Sequence, residues 1–118
     1  TPMNIGTVLR EQREFLRLHS KSFSLRQVAL RVGIEPAYLS KIERGETAPP
    51  SEATLKKIAH ELQLDPDVVL AMSGKISSDL QEIICSRPLL FSQLLRQLKD
   101  APEAAVLRIV REVTDGEW

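Results

Sequence analysis

Hydrophobic positions recur at helical spacing along most of the chain, in segments separated by capping residues, glycines and prolines. The clearest segment begins with a capping box, in which the Ser24 hydroxyl caps a helix and Gln27 reaches back to the freed amide. Gly33 lies where this helix must end, and Pro36 suits the first position of a second helix that ends at Gly45. The segment therefore predicts two short helices joined by a turn at Gly33.

Further helices are predicted on both sides of this pair. The first covers about residues 4–18, a fourth covers 51–62, and a short fifth covers 65–71. The apolar candidates for the buried side of the first helix are Ile5, Val8, Leu9, Phe15 and Leu16. The pattern predicts an all-α fold, with five helices in residues 3–74 and a boundary at the Ser-Gly-Lys sequence of residues 73–75.

The chain after this boundary predicts about three short amphipathic helices in residues 76–118. Ser78 and Gln81 form a capping box for the first of them. The apolar positions of the other two are Phe91, Leu94, Leu95, Leu98, Val106, Ile109, Val110 and Val113. A segment of about 40 residues buries too little surface to offset its conformational entropy. These faces must therefore pack on the first five helices or on a second copy of the protein, and we expect them to form a homodimer.

The predicted helix pair has a small residue, Ala29, where its two helices would cross most closely. In its spacing of small, turn and apolar positions the pair resembles the helix-turn-helix of the Xre/Cro family of phage and bacterial repressors. The matching positions are Val28, Ala29, Val32, Gly33, Ile34, Leu39 and Ile42. Because the flanking helices also match, the resemblance covers about residues 4–74 and implies a five-helix, repressor-like DNA-binding domain.

The resemblance also implies a structural ion pair between Arg13 in the first helix and Glu43 near the end of the second helix of the pair. Burial of this pair would orient the two helices, and loss of one partner would cost stability. Between Arg13 and Ser24 the chain has ten residues where relatives have about five. Residues 18–22 should therefore extend the first helix or form a loop.

The second helix of the pair is the candidate for the major groove of B-DNA, where base edges present distinguishable donors, acceptors and methyl groups. The resemblance implies base contacts on its exposed side, where Lys41 suits guanine and Ala37 suits a thymine methyl. Arg44 is expected on the phosphate backbone, and Tyr38 either bonds a phosphate or packs on the first helix. The predicted DNA-binding residues are Pro36, Ala37, Tyr38, Ser40, Lys41 and Arg44.

Three positions depart from the family pattern and remove contacts that relatives use. Leu25 replaces a glutamine that holds a phosphate or a base, Glu35 replaces a serine or threonine cap, and Glu46 lies in a loop that is often basic. One module reads about four or five base pairs, and a good base contact discriminates by about 1–3 kcal/mol. We therefore expect a homodimer on an inverted-repeat operator with half-sites about one helical turn apart.

The charge balance predicts weak non-specific binding. The 118 residues include 16 Lys and Arg and 16 Asp and Glu, for a formal net charge of zero. Residues 1–75 carry eleven basic and nine acidic side chains, a net charge of +2, whereas residues 76–118 carry five and seven, a net charge of −2. Phosphate contacts need only a few cations on one face, so the balance is compatible with specific DNA binding.

The remaining features bound the class of protein. No apolar run approaches the roughly 20 residues of a membrane span, and a single Cys85 excludes an intramolecular disulfide. No signal peptide is visible, so a cytoplasmic location is expected, with Met3 as the natural start behind a Thr1-Pro2 tag remnant. The sequence contains no motif for a cofactor, a metal site or a catalytic centre, and an enzyme is not expected.

Together the patterns predict a sequence-specific, DNA-binding transcriptional regulator. A repressor is the preferred interpretation, because a dimer bound across a promoter blocks polymerase by occupancy. The expected partners are double-stranded DNA and a second copy of the chain. The alternative is a protein-interaction module, such as an antitoxin or a partner-controlled regulator, that acts through the C-terminal helices. The two interpretations are not exclusive.

Overall fold

The structure, a computed structural model, describes residues 4–118, so the expectations on Thr1, Pro2 and Met3 lie outside the described part of the chain. Within that part the fold is all-α, as predicted, with eight α-helices, one 3-10 helix at Lys21–Phe23 and no strand. None of these helices combines the length and the apolar character needed to cross a membrane. The α-helices are α1 Ile5–Arg17, α2 Leu25–Val32, α3 Pro36–Arg44, α4 Glu52–Glu61, α5 Pro66–Met72, α6 Ser78–Ser86, α7 Pro88–Leu98 and α8 Glu103–Asp115.

Local capping explains where the helices of the N-terminal half begin. Asn4, Ser51 and Asp65 each accept a backbone amide hydrogen bond through a side-chain oxygen, over 2.9–3.3 Å. Pro36 and Pro66 occupy the first positions of α3 and α5, where an amide hydrogen has no partner within the helix. The predicted starts of these helices are confirmed to within one residue.

The hydrophobic core lies where α1 to α5 meet. Its buried members are Leu9, Val28, Ala29, Val32, Leu39, Ile42, Leu55, Ile58, Ala59, Leu62, Val69 and Leu70. The prediction for α1 is wrong at Phe15, which is 57% exposed. Arg13 is buried on that helix instead. The helix α1 therefore presents a charged group to the interior beside its apolar side chains.

The long connection between α1 and α2 forms a loop with a 3-10 turn and does not extend α1. Ser20 caps this turn by accepting a hydrogen bond from the Ser22 amide over 3.2 Å. The Ser24 hydroxyl accepts from the Gln27 amide over 3.2 Å, as predicted. The Ser24 amide, however, donates to the Lys21 carbonyl oxygen over 3.2 Å. The capping box is therefore only half formed, because the 3-10 turn already uses that amide.

The chain divides into two compact units. The first ends at Leu80 and contains α1 to α5 with the first residues of α6, and the second comprises Gln81–Trp118. The division falls after the boundary that was expected at residues 73–75. The three predicted C-terminal helices are present as α6, α7 and α8.

Polar contacts with the start of α4 explain why the first unit continues past residue 75. Lys75 Nζ donates a hydrogen bond to the Pro50 carbonyl oxygen over 3.1 Å. Ser78 donates to the Glu52 carboxylate through its amide over 2.7 Å and through its hydroxyl over 2.8 Å. These bonds hold the beginning of α6 against α4, and we call the Ser78–Glu52 contact the α4–α6 junction.

The N-cap of α6 is Ser77 and not the predicted Ser78. Ser77 is fully buried, and its hydroxyl accepts a hydrogen bond from the Leu80 amide over 3.2 Å. The Ser78 hydroxyl is already engaged by Glu52. The N-cap is therefore displaced by one residue from the predicted Ser78.

The second unit contains no buried side chain, since every residue from Gln81 to Trp118 is half-buried or exposed. The eight residues predicted for dimerisation follow this pattern. Four of them are half-buried, namely Phe91, Leu98, Val106 and Ile109. The other four are exposed, namely Leu94, Leu95, Val110 and Val113. Apolar surface on α7 and α8 thus remains accessible.

Candidate DNA-binding surface

The turn between α2 and α3 is closed by two hydrogen bonds to one carbonyl oxygen. The amides of Gly33 and Ile34 both donate to Ala29, over 2.9 and 3.0 Å. Gly33 has a φ of +86°, a left-handed conformation that strains residues with a side chain. Ala29 is fully buried, so the backbones of α2 and α3 can approach closely. The turn therefore fixes how α3 projects from the domain.

The helix α3 has one buried side and one exposed side. Leu39 and Ile42 are 1% and 4% exposed and belong to the core. The ring of Tyr38 also packs against the core. Of the other residues predicted to bind DNA, Ala37, Lys41 and Arg44 are exposed. Pro36 and Ser40 are half-buried. The exposed side of α3 is therefore available to a ligand.

A buried ion pair joins α1 to α3. Arg13 donates to Glu43 twice, from Nε to Oε2 over 2.7 Å and from Nη2 to Oε1 over 3.0 Å. Arg13 Nη1 also donates to the Phe23 carbonyl oxygen over 3.3 Å. The hydrogen bonds that Arg13 donates to Glu43 raise the pKa of its guanidinium against the opposing effect of burial. Arg13 therefore stays charged, and its two hydrogen bonds to Glu43 hold α3 in one orientation against α1.

Gly6 allows α1 to approach the C-terminal end of α3. A Cβ atom at this position would lie 2.7 Å from the Glu43 carbonyl oxygen and closer still to that of Ile42. Sequence reasoning missed this role, because the contact joins residues that are far apart in the chain. The available signal was a glycine inside a predicted helix, which often marks a close backbone approach.

The exposed charges near α3 are of both signs. Arg44 forms an ion pair with Glu46 in the following loop, with 3.1 Å between Nη2 and Oε2 and both side chains about half exposed. Glu35 precedes α3, but its side chain makes no capping hydrogen bond. Among residues 4–118, Lys41 has no carboxylate partner. In this range Lys41 is therefore the cation of α3 for which no carboxylate competes with a ligand.

The elements that position α3 coincide with a known family domain. Residues 9–69 match the family described as Helix-turn-helix, HTH_3, over just more than half of the chain. The chain belongs to the helix-turn-helix family. The matched region contains the α2–α3 turn and both partners of the Arg13–Glu43 ion pair. In a helix-turn-helix the second helix is called the recognition helix, and α3 occupies that position in this Xre-type domain.

Relatives of this helix-turn-helix protein are named as transcriptional regulators. HTH-type transcriptional regulator SlrR of Bacillus subtilis (strain 168) is 31% identical over an alignment that covers 97% of this chain and 82% of SlrR. Uncharacterized HTH-type transcriptional regulator RghRB of the same organism is 35% identical over 78 residues, which cover 66% of this chain. The chain matches 52%, or about half, of the length of RghRB. No solved structure matches.

The family places this helix-turn-helix protein among DNA-binding transcriptional regulators, a non-enzymatic role. In the part of the chain that the structure describes, no group of three or more His, Cys, Asp or Glu side chains could hold a metal ion. The exposed side of α3 presents Ala37, Lys41 and Arg44.

Proposed function

We propose that this helix-turn-helix protein is a sequence-specific repressor that binds an inverted-repeat operator as a homodimer. The observation that carries the proposal is the arrangement of α3. Its apolar side is buried in the core, while Ala37, Lys41 and Arg44 are exposed. The buried Arg13–Glu43 ion pair holds this helix against α1. The naming of its relatives as transcriptional regulators supports the same function.

The side chains of α3 divide between base and backbone contacts. Lys41 donates to O6 and N7 of guanine, and Ala37 meets a thymine methyl group. Ser40 serves a base or a phosphate. Arg44 is assigned to the phosphate backbone, which positions the domain without reading sequence. Pro36, at the start of the recognition helix, completes the surface that faces the base edges.

Selection of bound duplexes from random DNA, at low and at moderate salt, tests the sequence-specific part of the proposal. We expect enrichment of an inverted repeat with half-sites about one helical turn apart. Lys41→Ala should relax the preference at one base pair of each half-site, at a cost of about 1–3 kcal/mol. Lys57→Ala, at an exposed position of α4, is the matched control and should select the same sequence. Failure to enrich any inverted repeat would contradict the proposal.

The second unit supports the homodimeric part of the proposal. It has no buried side chain, and the apolar faces of α7 and α8 remain accessible. A unit of about 40 residues needs another surface to offset its conformational entropy. A second copy of the chain offers the same apolar faces and forms a self-complementary contact.

Sedimentation of the full chain and of a truncation after Leu80 tests this assignment. Leu80 is the appropriate end, because residues that follow Lys75 are bound to α4 in the first unit. We expect the full chain to sediment as a dimer and the truncation as a monomer. Equal states of association would show that residues 81–118 are not the dimerisation element.

A second candidate function is a partner-controlled regulator or antitoxin that docks another protein on α7 and α8. The same accessible apolar faces favour it. In that case the Lys41→Ala, Arg44→Ala double variant would keep its function, and the chain would bind its partner protein but no promoter DNA. Loss of function in the double variant would favour the repressor.

A further inference from the structure

A cleft of about 220 Å³ lies between α1, the start of α2 and α3. Arg10 of α1 and Arg44 of α3 both line it, together with Leu25 and Ser40. Ser40 and Arg44 belong to the predicted DNA-binding residues of α3, so the cleft is continuous with the recognition surface. Arg10 lies outside the α2–α3 pair and is not among the predicted DNA-binding residues.

Arg10 and Arg44 supply the positive charge of the cleft that is available to a ligand. Arg10 is exposed and has no carboxylate within 4 Å among the residues from 4 to 118. Arg44 is about half exposed, and its only ion pair in that range is with Glu46. The wall between them contains the Arg13–Glu43 pair, whose two charges compensate each other over 2.7 Å.

Glu14 is the remaining acid of the cleft, and it is held by other cations. Its carboxylate lies 3.2 Å from Arg13 Nη2 and 3.9 Å from Arg17 Nη1. Glu14 therefore forms its ion pairs with these two groups and forms none with Arg10 within 4 Å. The cleft as a whole presents Arg10 and Arg44 to an anion small enough for a volume of about 220 Å³.

We propose that this cleft receives one backbone phosphate of DNA, which Arg10 and Arg44 hold together. A phosphodiester carries one negative charge and two free oxygens, and guanidinium groups bind such an anion through directed, charge-assisted hydrogen bonds. A duplex that lies against Ser40 brings its backbone to the mouth of the cleft. The inference rests on the proposed function and adds α1 to the DNA-binding surface.

Salt titrations of the full chain on a fluorescent duplex of random sequence test the proposal. Arg10→Gln should weaken binding about fivefold for every sequence and reduce the slope of log affinity against log salt by about 1. Arg10→Lys keeps the charge and should keep the slope. Lys57→Gln, at an exposed position of α4 that does not line the cleft, is the matched control and should bind as the wild type does. Thermal melting should show that all variants are folded.

The Arg10→Gln, Arg44→Gln double variant tests whether one phosphate is shared. Two residues with a common partner are not additive, so the double variant should lose less than the product of the two single losses. A loss equal to that product would overturn the shared contact. An unchanged slope in Arg10→Gln, with a salt-sensitive wild type, would overturn the cleft proposal alone. A wild type that binds no duplex would overturn the proposed function as well.

Discussion

Arg13 is the residue on which the orientation of the recognition helix depends most directly. It is 4% exposed, and Glu43 is 6% exposed, so neither charge is solvated by bulk water. The desolvation of such a pair is offset only when its hydrogen bonds are made with good geometry. Here all three guanidinium nitrogens of Arg13 donate to oxygen acceptors. The pair is therefore compensated as long as both partners are present.

We expect Glu43→Gln to lower the free energy of unfolding by about 3–5 kcal/mol, because it leaves the Arg13 charge buried without its counter-charge. Urea unfolding followed by circular dichroism measures the change. Glu14→Gln is the control, since Glu14 also contacts Arg13 but its side chain is 46% exposed. That variant should lose less than about 1 kcal/mol. Equal losses in the two variants would argue against a special role for the buried pair.

Gly6→Ala should destabilise the domain although alanine is the better helix former. The new Cβ would contact the carbonyl oxygens of Ile42 and Glu43, and overpacking of this kind costs about 1–3 kcal/mol. The gain in helix propensity is only about 1 kcal/mol. Thr7→Ala, at the next and exposed position, should be neutral or slightly stabilising. A Gly6→Ala variant as stable as the wild type in urea would show that α1 can move away from α3 without cost.

We expect Glu46 to restrain DNA binding through its ion pair with Arg44. We expect Glu46→Gln to strengthen binding to duplex DNA, because it releases Arg44 and removes a negative charge from the surface that faces phosphates. Anisotropy titrations at several salt concentrations measure the gain. The gain should shrink when Arg44→Gln is also present, and an undiminished gain would mean that the ion pair is irrelevant.

At the scale of elements, the α4–α6 junction depends on one carboxylate. Glu52 accepts hydrogen bonds from the amide and the hydroxyl of Ser78, and Lys56 lies 3.7 Å away. These contacts, the backbone bond first, lower the pKa of Glu52 below its ordinary value of 4.5. The junction thereby joins the start of α4 to α6, the helix in which the first unit ends.

The lowered pKa of Glu52 makes the junction sensitive to acid. A carboxyl group with a depressed folded pKa contributes stability that is fully present above its ordinary pKa and is lost as the pH falls through the folded value. We therefore expect the melting temperature of the wild type to fall more steeply than that of Glu52→Gln below about pH 4.5. Melting curves at a series of pH values measure the difference. Glu11→Gln, at an exposed position, should follow the wild type.

The elements were predictable where a few neighbouring residues decide them. Gly33 and Ser51 act on their own helix ends, so the sequence alone indicates the α2–α3 turn and the start of α4. Gly6, Ser77 and Phe15 were missed, because close approach, burial and exposure depend on which helices pack together. No rule of periodicity contains that information.

In the candidate DNA-binding surface, too, features set by neighbouring residues were predictable, and features set by the packing of helices were not. The exposed positions of α3 follow from its 3.6-residue period once the inward side chains are identified. The Arg13–Glu43 pair came from family resemblance, since thirty residues separate its partners. The ion pair of Arg44 with Glu46 and the cleft beside Arg10 required the three-dimensional arrangement of side chains.

At the scale of the whole molecule, the two units differ in what stabilises them. The first contains the entire buried core, whereas the second contains no buried residue. The first unit also includes the residues between Lys75 and Leu80, which bind the start of α4. The unit that presents α3 is therefore larger than its five helices.

We expect a truncation after Leu80 to be more stable than one after Lys75. The shorter chain lacks the Ser78 hydrogen bonds to Glu52 and the buried Ser77, which hold the start of α6 against α4. Urea unfolding of the two truncations measures the difference. Equal stabilities would show that residues 76–80 are not part of the folded first unit.

The accessible apolar faces of α7 and α8 have a consequence for gene dosage. In the proposed homodimer a second copy covers them, so only paired chains would bind the operator tightly, and at low abundance the number of pairs would rise with the square of the number of chains. Loss of half of the chains then removes about three quarters of the operator-bound pairs. A gradual change in the supply of the regulator becomes a much steeper change in transcription.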